Sequence, residues 1–299
     1  MRWWMFDLVV WTFLIITGVV LVDLFLHYRW RVKKRRRLVL LITSLLSLAW
    51  LLVFYGSFVE PRMLLVKHEN VSVLNNSIRA ALISDIHVGP YKRSGWVEKI
   101  VKIANREKPD VIFLLGDYIM GVEGKVEDLL ALGQLEAPLG VFAILGNHDY
   151  QNNRSAEVET ALKNLGITVL RNSSTKIVLS DGSDLFLAGV GDFWYDGMVS
   201  AAVDGLSSSD QVILLAHNPD TILDSSVKIA DLVLSGHTHG GQIRLPFFGA
   251  MFVPTKIGEY FGKGKFLING ISLFITSGTG EMGPRARLFN PPEVAVLEL

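Results

Sequence analysis

The stretch Ala-Ala-Leu-Ile-Ser-Asp-Ile-His, residues 80–87, shows a pattern that recurs along the chain: a short apolar run that ends in polar side chains. Runs of this kind that alternate with helical patterns indicate stacked strand-helix-strand units. Four later runs close in Gly116-Asp117, Gly146-Asn-His-Asp149, His217 and Gly236-His-Thr-His239. The sequence therefore predicts an α/β domain in which five strands each deliver polar groups.

The polar side chains at these five strand ends are predicted to meet in one crevice, because ligands gather where the carboxyl ends of such strands converge. In Asp85-x-His87 and His237-x-His239, residues two apart on an extended backbone share a face, so each pair could bind one cation or two adjacent ones. Carboxylate, imidazole and amide oxygen suit manganese, iron or zinc. Five of the seven histidines lie at these ends, namely His87, His148, His217, His237 and His239.

The composition limits the possible metal sites and partners. The 299 residues include no cysteine, which excludes thiolate zinc sites, iron-sulfur clusters and disulfides. Lys+Arg and Asp+Glu each number 29, but residues 1–37 hold eight basic and two acidic residues, which leaves 21 basic and 27 acidic residues elsewhere. Because that remainder lacks a basic excess for binding phosphate backbones, we expect no nucleic-acid partner.

Two long apolar stretches precede the predicted domain. Residues 3–26 carry charges only at Asp7 and Asp23, near the two ends, and residues 38–59 carry none. As helices they would reach about 33 to 36 Å, enough to cross a bilayer. A buried hairpin in a soluble core is the alternative. We expect residues 1–60 to form a two-span anchor in the cell (inner) membrane, in contact with its lipids, and residues 61–299 to form a catalytic domain.

The loop between the two stretches, residues 27–37, contains seven Lys and Arg residues. Short basic loops stay on the cytoplasmic side of a membrane, so this loop predicts an extracytoplasmic catalytic domain. The cytoplasmic orientation remains open. Binding of anionic lipid headgroups by the loop is compatible with either orientation.

The five polar blocks, in this order, resemble the calcineurin-like metallophosphoesterase superfamily, whose blocks are Asp-x-His, Gly-Asp, Gly-Asn-His-Asp/Glu, a later His and Gly-His-x-His. Residues 236–246 and 276–294 are similar to the bacterial membrane-associated branch of that superfamily. The resemblance covers residues 61–299. It implies two facing mixed β-sheets flanked by helices, a four-layer fold, here preceded by two transmembrane helices.

The resemblance also implies roles for nine side chains around two divalent metal ions, with Mn, Fe and Zn all possible. The metal ligands would be Asp85, His87 and His239 for the first ion, Asn147, His217 and His237 for the second, and Asp117 as a bridge between them. His148 would face the scissile phosphate, and Asp149 would orient the imidazole of His148.

One departure from the superfamily narrows the substrate class. Residues 116–121 lack the acidic residue and the arginine that its protein phosphatases carry after Gly-Asp. A phosphodiester or pyrophosphate is therefore expected, cleaved by attack of a metal-bridging hydroxide. Arg244 and Arg285 are candidates for holding the phosphate oxygens.

The anchor favours a lipid-linked or small phosphoester substrate, because two spans raise the local concentration of molecules in the same leaflet. The apolar residues 245–254 could touch the membrane beside the site or form a buried connection. The same two alternatives apply to the aromatic residues 193–195. One alternative is a UDP-2,3-diacylglucosamine pyrophosphatase-like enzyme of lipid A synthesis. Another is a non-catalytic metal-binding membrane scaffold. The oligomeric state is unknown from the sequence.

Overall fold

The computed structural model describes residues 3–31, 36–71, 73 and 77–299. The chain begins with two antiparallel helices, α1 (Trp3–Arg31) and α2 (Arg36–Phe54). The indole nitrogen of Trp50 donates to the carbonyl of Leu14 at 2.9 Å, which fixes the two helices against each other. Both helices are long and apolar enough to cross a membrane. Their exposed apolar side chains, such as Val9 and Phe25, indicate membrane association.

The first of two six-stranded sheets contains the strands that precede three of the polar blocks. In spatial order its strands are β1 (Leu65–Asn70), β14 (Glu293–Glu298), β2 (Arg79–Ile83), β3 (Val111–Leu115), β4 (Val141–Ile144) and β5 (Thr168–Val169). β2 to β5 are mutually parallel, and β14 runs antiparallel to β2. All five residues of β3 are buried, as expected for a parallel strand covered on both faces.

The second six-stranded sheet contains the strands that precede the other two blocks. In spatial order its strands are β12 (Gly264–Ile268), β13 (Ile271–Ile275), β9 (Leu232–Ser235), β8 (Gln211–Leu215), β7 (Asp184–Gly189) and β6 (Ser173–Val178). The four central strands are parallel, and the two edge strands are antiparallel to their neighbours. A separate two-stranded ribbon pairs β10 (Arg244–Leu245) with β11 (Gly249–Ala250).

The main core lies between the two sheets, where Leu82 and Phe113 of the first sheet pack in one cluster with Leu234 and Phe274 of the second. Helices cover the outer faces. They are α3 (Ser94–Arg106) and α5 (Ser155–Asn164) on the first sheet and α6 (Val199–Ala202) on the second, together with short 3₁₀ turns, whereas α4 (Asn147–Tyr150) follows β4 at its carboxyl end. The predicted pair of facing mixed sheets flanked by helices is confirmed.

The anchor packs directly on the segment formed by residues 281–290. A π-helical turn, Tyr55–Val59, extends α2 toward the domain. The Glu60 carboxylate accepts a hydrogen bond from the Phe289 nitrogen at 2.9 Å, and the Arg285 guanidinium lies 3.3 Å from the carboxylate of Asp7. The N-terminal end of α1 and the C-terminal end of α2 therefore both meet the domain, while the C-terminal end of α1 and the N-terminal end of α2 lie at the opposite end of the hairpin.

Candidate metal centre

The five predicted strand ends do converge on one place, where the carboxyl edges of both sheets meet. β2, β3 and β4 supply the first three blocks from one sheet, and β8 and β9 supply the last two from the other. Two clusters of three buried side chains lie there. Their members are Asp85, His87 and His239 in the first cluster, and Asp117, His217 and His237 in the second.

The backbone at these residues differs from the sequence-based expectation of extended Asp-x-His and His-x-His pairs. The φ angles are +54° at Asp85, +51° at His87, +58° at Asp117, +68° at His237 and +51° at His239. β2 and β9 have already ended at Ile83 and Ser235 when these residues begin. The left-handed region is costly for residues with a Cβ and is characteristic of functional sites. The pairs are therefore positioned by turns, and His237 and His239 enter different clusters.

The first cluster brings three potential ligand atoms together. His87 Nε2 lies 3.1 Å from His239 Nε2, and Asp85 Oδ1 lies 3.5 Å from His239 Nε2. Both oxygens of Asp85 also accept from the main-chain nitrogen of His237, at 3.1 Å each. This hydrogen bond fixes the carboxylate between the two loops that follow β2 and β9.

In the second cluster, His217 Nδ1 donates a hydrogen bond to the carbonyl of Leu115 at 2.6 Å. A carbonyl is an acceptor only, so Nδ1 carries the proton and Nε2 remains free to act as a metal ligand. Asn147 Oδ1 and His237 Nε2 are buried and have no hydrogen-bond partner among the residues that the structure describes. Such atoms need a partner in a folded protein, and a cation would satisfy both.

Asp117 lies between the clusters. Its Oδ2 is 3.5 Å from His87 Nε2 of the first cluster and 3.2 Å from His217 Nε2 of the second. Its Oδ1 accepts from the main-chain nitrogen of His148 at 2.8 Å. One carboxylate oxygen is therefore held by the backbone, and the other faces both clusters, as a bridging ligand requires.

The electrostatics of the site fit a pair of cations. Burial lowers the pKa of His87 and of His237 to about 3, so both imidazoles are neutral, which is the form that binds metal. Burial also disfavours a charge on His217, but the carboxylates of Asp117 and Asp85 outweigh it and raise the pKa of His217 to about 10. A proton on His217 partly balances these carboxylates and would be displaced by a bound cation.

His148 and Asp149 occupy different environments from those expected of a partnered pair. The His148 ring lies edge-on to the His87 ring, with centroids 4.9 Å apart, at the cluster. Its Nδ1 is buried without a hydrogen-bond partner in the described ranges. The Asp149 carboxylate instead accepts from the main-chain nitrogens of Asp117, at 2.9 Å, and Tyr118, at 2.9 Å. The expectation that Asp149 orients the imidazole of His148 is therefore wrong, because its lone pairs are used by the loop after β3.

Sequence analysis missed Asp192, which is fully buried beside the second cluster. Burial raises the pKa of Asp192 to about 6, against the opposing charge of His217. Its Oδ1 accepts from the Trp194 nitrogen at 3.0 Å, and the Trp194 ring lies 4.9 Å from the His237 ring. A signal was present, because Gly191-Asp192 follows the apolar strand β7 as Gly116-Asp117 follows β3.

The two arginines suggested for the phosphate oxygens are engaged elsewhere. Arg285 pairs with Asp7 of the anchor, and the Arg244 guanidinium donates to the carbonyl of Gly240 at 2.9 Å. A different arginine is fully buried: Arg287 donates to the carbonyls of Ser277 and Gly280, at 2.7 and 2.6 Å. It fixes a loop that packs against Asp85.

An apolar cavity of about 380 Å³ adjoins the first cluster. His239 is one of its lining residues, and the apolar side chains of Met251, Phe252, Pro254 and Met282 line it as well. The loop at residues 245–254 is an exposed ribbon, not a buried connection. The side chains at its tip, Phe247 and Phe248, are exposed almost completely, at 105% and 86%.

Comparison with known proteins agrees with this site. The model of the calcineurin-like phosphoesterase family matches residues 78–241. An uncharacterized metallophosphoesterase of Aquifex aeolicus is 36% identical over 72% of this chain and 82% of its own length. The phosphodiesterase YaeI of Escherichia coli is 29% identical over 82% of this chain and 92% of its own. A zebrafish protein named "Transmembrane protein with metallophosphoesterase domain" is 31% identical over 75% of this chain and 53% of its own.

Fold, clustered ligands and sequence similarity therefore agree, and they disfavour a non-catalytic scaffold. The chain belongs to the calcineurin-like phosphoesterase family and is a metal-dependent phosphoric ester hydrolase.

Proposed function

We propose that this enzyme hydrolyses a phosphodiester or pyrophosphate bond in a lipid-linked substrate, at a centre of two divalent cations. The observation that carries the proposal is the apolar cavity beside His239. Its wall includes residues 282–284, which lead directly to Arg285 and its ion pair with Asp7 of α1. A substrate phosphate at the metal centre would thus have an apolar space beside it that adjoins the end of the membrane anchor.

The exposed ribbon supports the same substrate class. Phe247, Phe248 and Met251 are apolar and largely exposed, and Met251 also lines the cavity. Contiguous exposed apolar side chains on a protein surface usually mark an interaction site. The ribbon would rest in the headgroup region of the bilayer and admit the apolar part of the substrate toward His239.

In the mechanism that we infer, Asp85, His87 and His239 would hold one cation, Asn147, His217 and His237 would hold the other, and Asp117 would be a ligand to both. When bound, such cations polarise phosphoryl oxygens and bring the pKa of a bound water toward neutrality. We infer that His148, whose ring lies edge-on to the His87 ring, donates a hydrogen bond or a proton to the leaving oxygen. Asp149 holds the loop that presents Asp117.

We further propose that the domain lies outside the cytoplasm and that the anchor resides in the inner membrane. The support is which helix ends meet the domain. Asp7 near the start of α1 and Glu60 after α2 contact it, whereas the basic sequence of residues 27–37, which favours the cytoplasm, joins the other ends of the two helices. A reporter that is active only outside the cytoplasm, fused after Leu299, should be active. Activity of a cytoplasmic reporter at the same position would contradict this orientation.

The substrate class is tested by measuring the activity of the purified full chain on two substrates. One is a water-soluble aryl phosphodiester, and the other is a phospholipid in mixed micelles. Met251→Ser combined with Phe252→Ser should lower kcat/KM for the phospholipid about tenfold, because apolar contacts worth over 1 kcal/mol are lost. Turnover of the aryl diester should be unchanged. Leu267→Ser, an equally exposed apolar position on β12 away from the cavity, serves as the matched control.

If both substrates lost activity equally in the cavity variant, the apolar cavity would have no role in substrate choice. If the wild-type chain hydrolysed the aryl diester and no lipid-linked diester or pyrophosphate, the lipid-linked class would be wrong while the phosphoesterase activity would stand.

A further inference from the structure

A second cavity, of about 450 Å³, lies where the anchor joins the catalytic domain. We call it the junction pocket. Its charged lining comprises five basic side chains and one acidic side chain, namely Arg62, Lys92, Arg93, Lys99, Arg285 and Glu281. None of these residues belongs to the metal clusters or lines the apolar cavity beside His239. The pocket is therefore separate from the centre that performs the hydrolysis.

Three of the five cations have acidic partners. Lys92 lies 3.3 Å from Glu281, Arg93 lies 3.4 Å from Asp128, and Arg285 lies 3.3 Å from Asp7. The remaining two, Arg62 and Lys99, form no ion pair with any carboxylate in the described part of the chain. Their positive charges are thus available to an anionic ligand.

The position of Lys99 is fixed by the pocket itself. Its ammonium group donates to the carbonyl of Arg62 at 2.8 Å and lies 5.0 Å from the centre of the Trp96 ring. Lys92 lies over the same ring at 3.6 Å. One aromatic ring therefore has two ammonium groups close to it, which raises the local positive potential.

The pocket lies between the ends of the two candidate spans. Arg62 is the last residue of the second candidate span. On the other rim, the Tyr91 hydroxyl contacts the carbonyl of Trp3, at the beginning of α1, at 3.5 Å. Tryptophan and arginine at the ends of spans occupy the membrane-water interface. At such an interface, a cavity between two span ends would adjoin the phosphates of the surrounding bilayer.

We propose that the junction pocket binds the phosphate headgroup of an anionic phospholipid from the surrounding bilayer. Arg62 and Lys99 supply the two uncompensated cations, and the other basic side chains maintain a positive surrounding. A lipid held here would fix the angle between the anchor and the domain. The apolar ribbon at residues 245–254 would then face the same leaflet.

The test uses the purified full chain in nanodiscs of phosphatidylcholine with increasing amounts of phosphatidylglycerol. Native mass spectrometry then counts the lipids that stay bound to the protein. Arg62→Gln with Lys99→Gln should weaken retention of phosphatidylglycerol about thirtyfold, since two cations near a membrane surface contribute roughly 1 kcal/mol each. Lys102→Gln is the matched control. Lys102 is an exposed lysine one turn further along α3 and does not line the pocket.

Retention of phosphatidylcholine should be equal in all variants, and inorganic phosphate at millimolar concentration should not displace the bound lipid. If Lys102→Gln lost as much phosphatidylglycerol as the pocket variant, the lipid would be attracted by the positive charge of the whole protein surface. That result would overturn the proposal. Displacement by inorganic phosphate would overturn it in favour of a free-phosphate site. The single Lys99→Gln change, on the surface of α3, keeps the test valid if the double variant does not fold. Metal content and unfolding temperature report folding independently of lipid binding.

Discussion

The carboxylate of Asp149 accepts a hydrogen bond of 2.9 Å from the main-chain nitrogen of Asp117. The main-chain nitrogens of Gly146, Tyr118 and Ile119 donate to the same carboxylate, at 2.9 to 3.2 Å. Four donors on one buried anion give strong, charge-assisted hydrogen bonds. They hold the turn in which Asp117 has a positive φ, so Asp149 is a positioning residue for the carboxylate that lies between the two metal clusters.

Asp149→Asn should therefore lower metal occupancy and stability together. An amide keeps one acceptor oxygen and puts a donor where the other oxygen received main-chain N–H groups. The resulting unsatisfied groups should cost about 1–3 kcal/mol of unfolding free energy. Metal content by mass spectrometry and the thermal unfolding temperature measure the two effects, with Asp184→Asn at an exposed ion pair as control. Full metal content with reduced turnover would instead support an effect through His148.

In contrast to Asp149→Asn, His148→Ala should lower turnover and leave metal content unchanged. Its ring contacts the His87 ring but is not a member of either cluster, so both metals should remain bound. Loss of a group that assists proton transfer should reduce kcat by roughly two to four orders of magnitude. The measurement is turnover of an aryl phosphodiester at saturating metal, together with metal content. His68→Ala, at an exposed histidine on β1, should change neither quantity. Loss of metal in His148→Ala would make His148 a ligand.

Asp117→Asn should affect both metals, whereas His237→Ala should affect one. Asp117 Oδ2 faces both clusters, while His237 belongs only to the second. Titration of the full chain with Mn²⁺ should show two sites in the wild type, weakened binding at both in Asp117→Asn, and loss of one site in His237→Ala. A ligand change of this kind typically weakens binding by at least about tenfold. One intact site in Asp117→Asn would exclude the bridging role.

The positions of the five strands could be predicted because each is a short, continuous apolar run. β3 and β9 are buried at every residue, so their sequences contain no polar interruption until the strand ends. The polar residues that follow these strands then lie at the carboxyl edges of the two sheets, where the two clusters form. The sequence did not predict Asp192 as a site residue, because it is a single acidic residue. It nevertheless follows β7 after a glycine, as Asp117 follows β3.

The local geometry could not be predicted, because it depends on contacts distant in sequence. Nothing in Asp-Ile-His indicates a positive φ at Asp85 and His87, since neither is a glycine. The turn is set by neighbours such as Gly278 and Gly280, which pack against Asp85 from almost 200 residues away. The partners of Asp149 depend in the same way on the loop after β3. Residue types therefore indicated the chemistry, and tertiary packing determined which atoms meet.

Stability should increase with pH because of Lys92. Burial lowers the pKa of Lys92 to about 8 from the ordinary 10.5, although its pair with Glu281 opposes the shift. Between these two values the unfolded chain binds more protons at this residue than the folded chain, so the unfolding free energy rises with pH across that window. Below a pH of about 8 the full cost of burying the ammonium group is present. The contribution is on the order of 3 kcal/mol at most.

The measurement is the unfolding temperature of the full chain in one detergent, followed across this pH window. Other groups also titrate there, so the contribution of Lys92 is the difference from a variant in which the pair is replaced by neutral residues, Lys92→Met with Glu281→Gln. Replacing both partners avoids leaving a buried carboxylate without its cation. The variant should gain relative stability at the low end of the window and lose that gain toward the high end. A difference that is constant with pH would mean that Lys92 keeps its ordinary pKa in the folded chain.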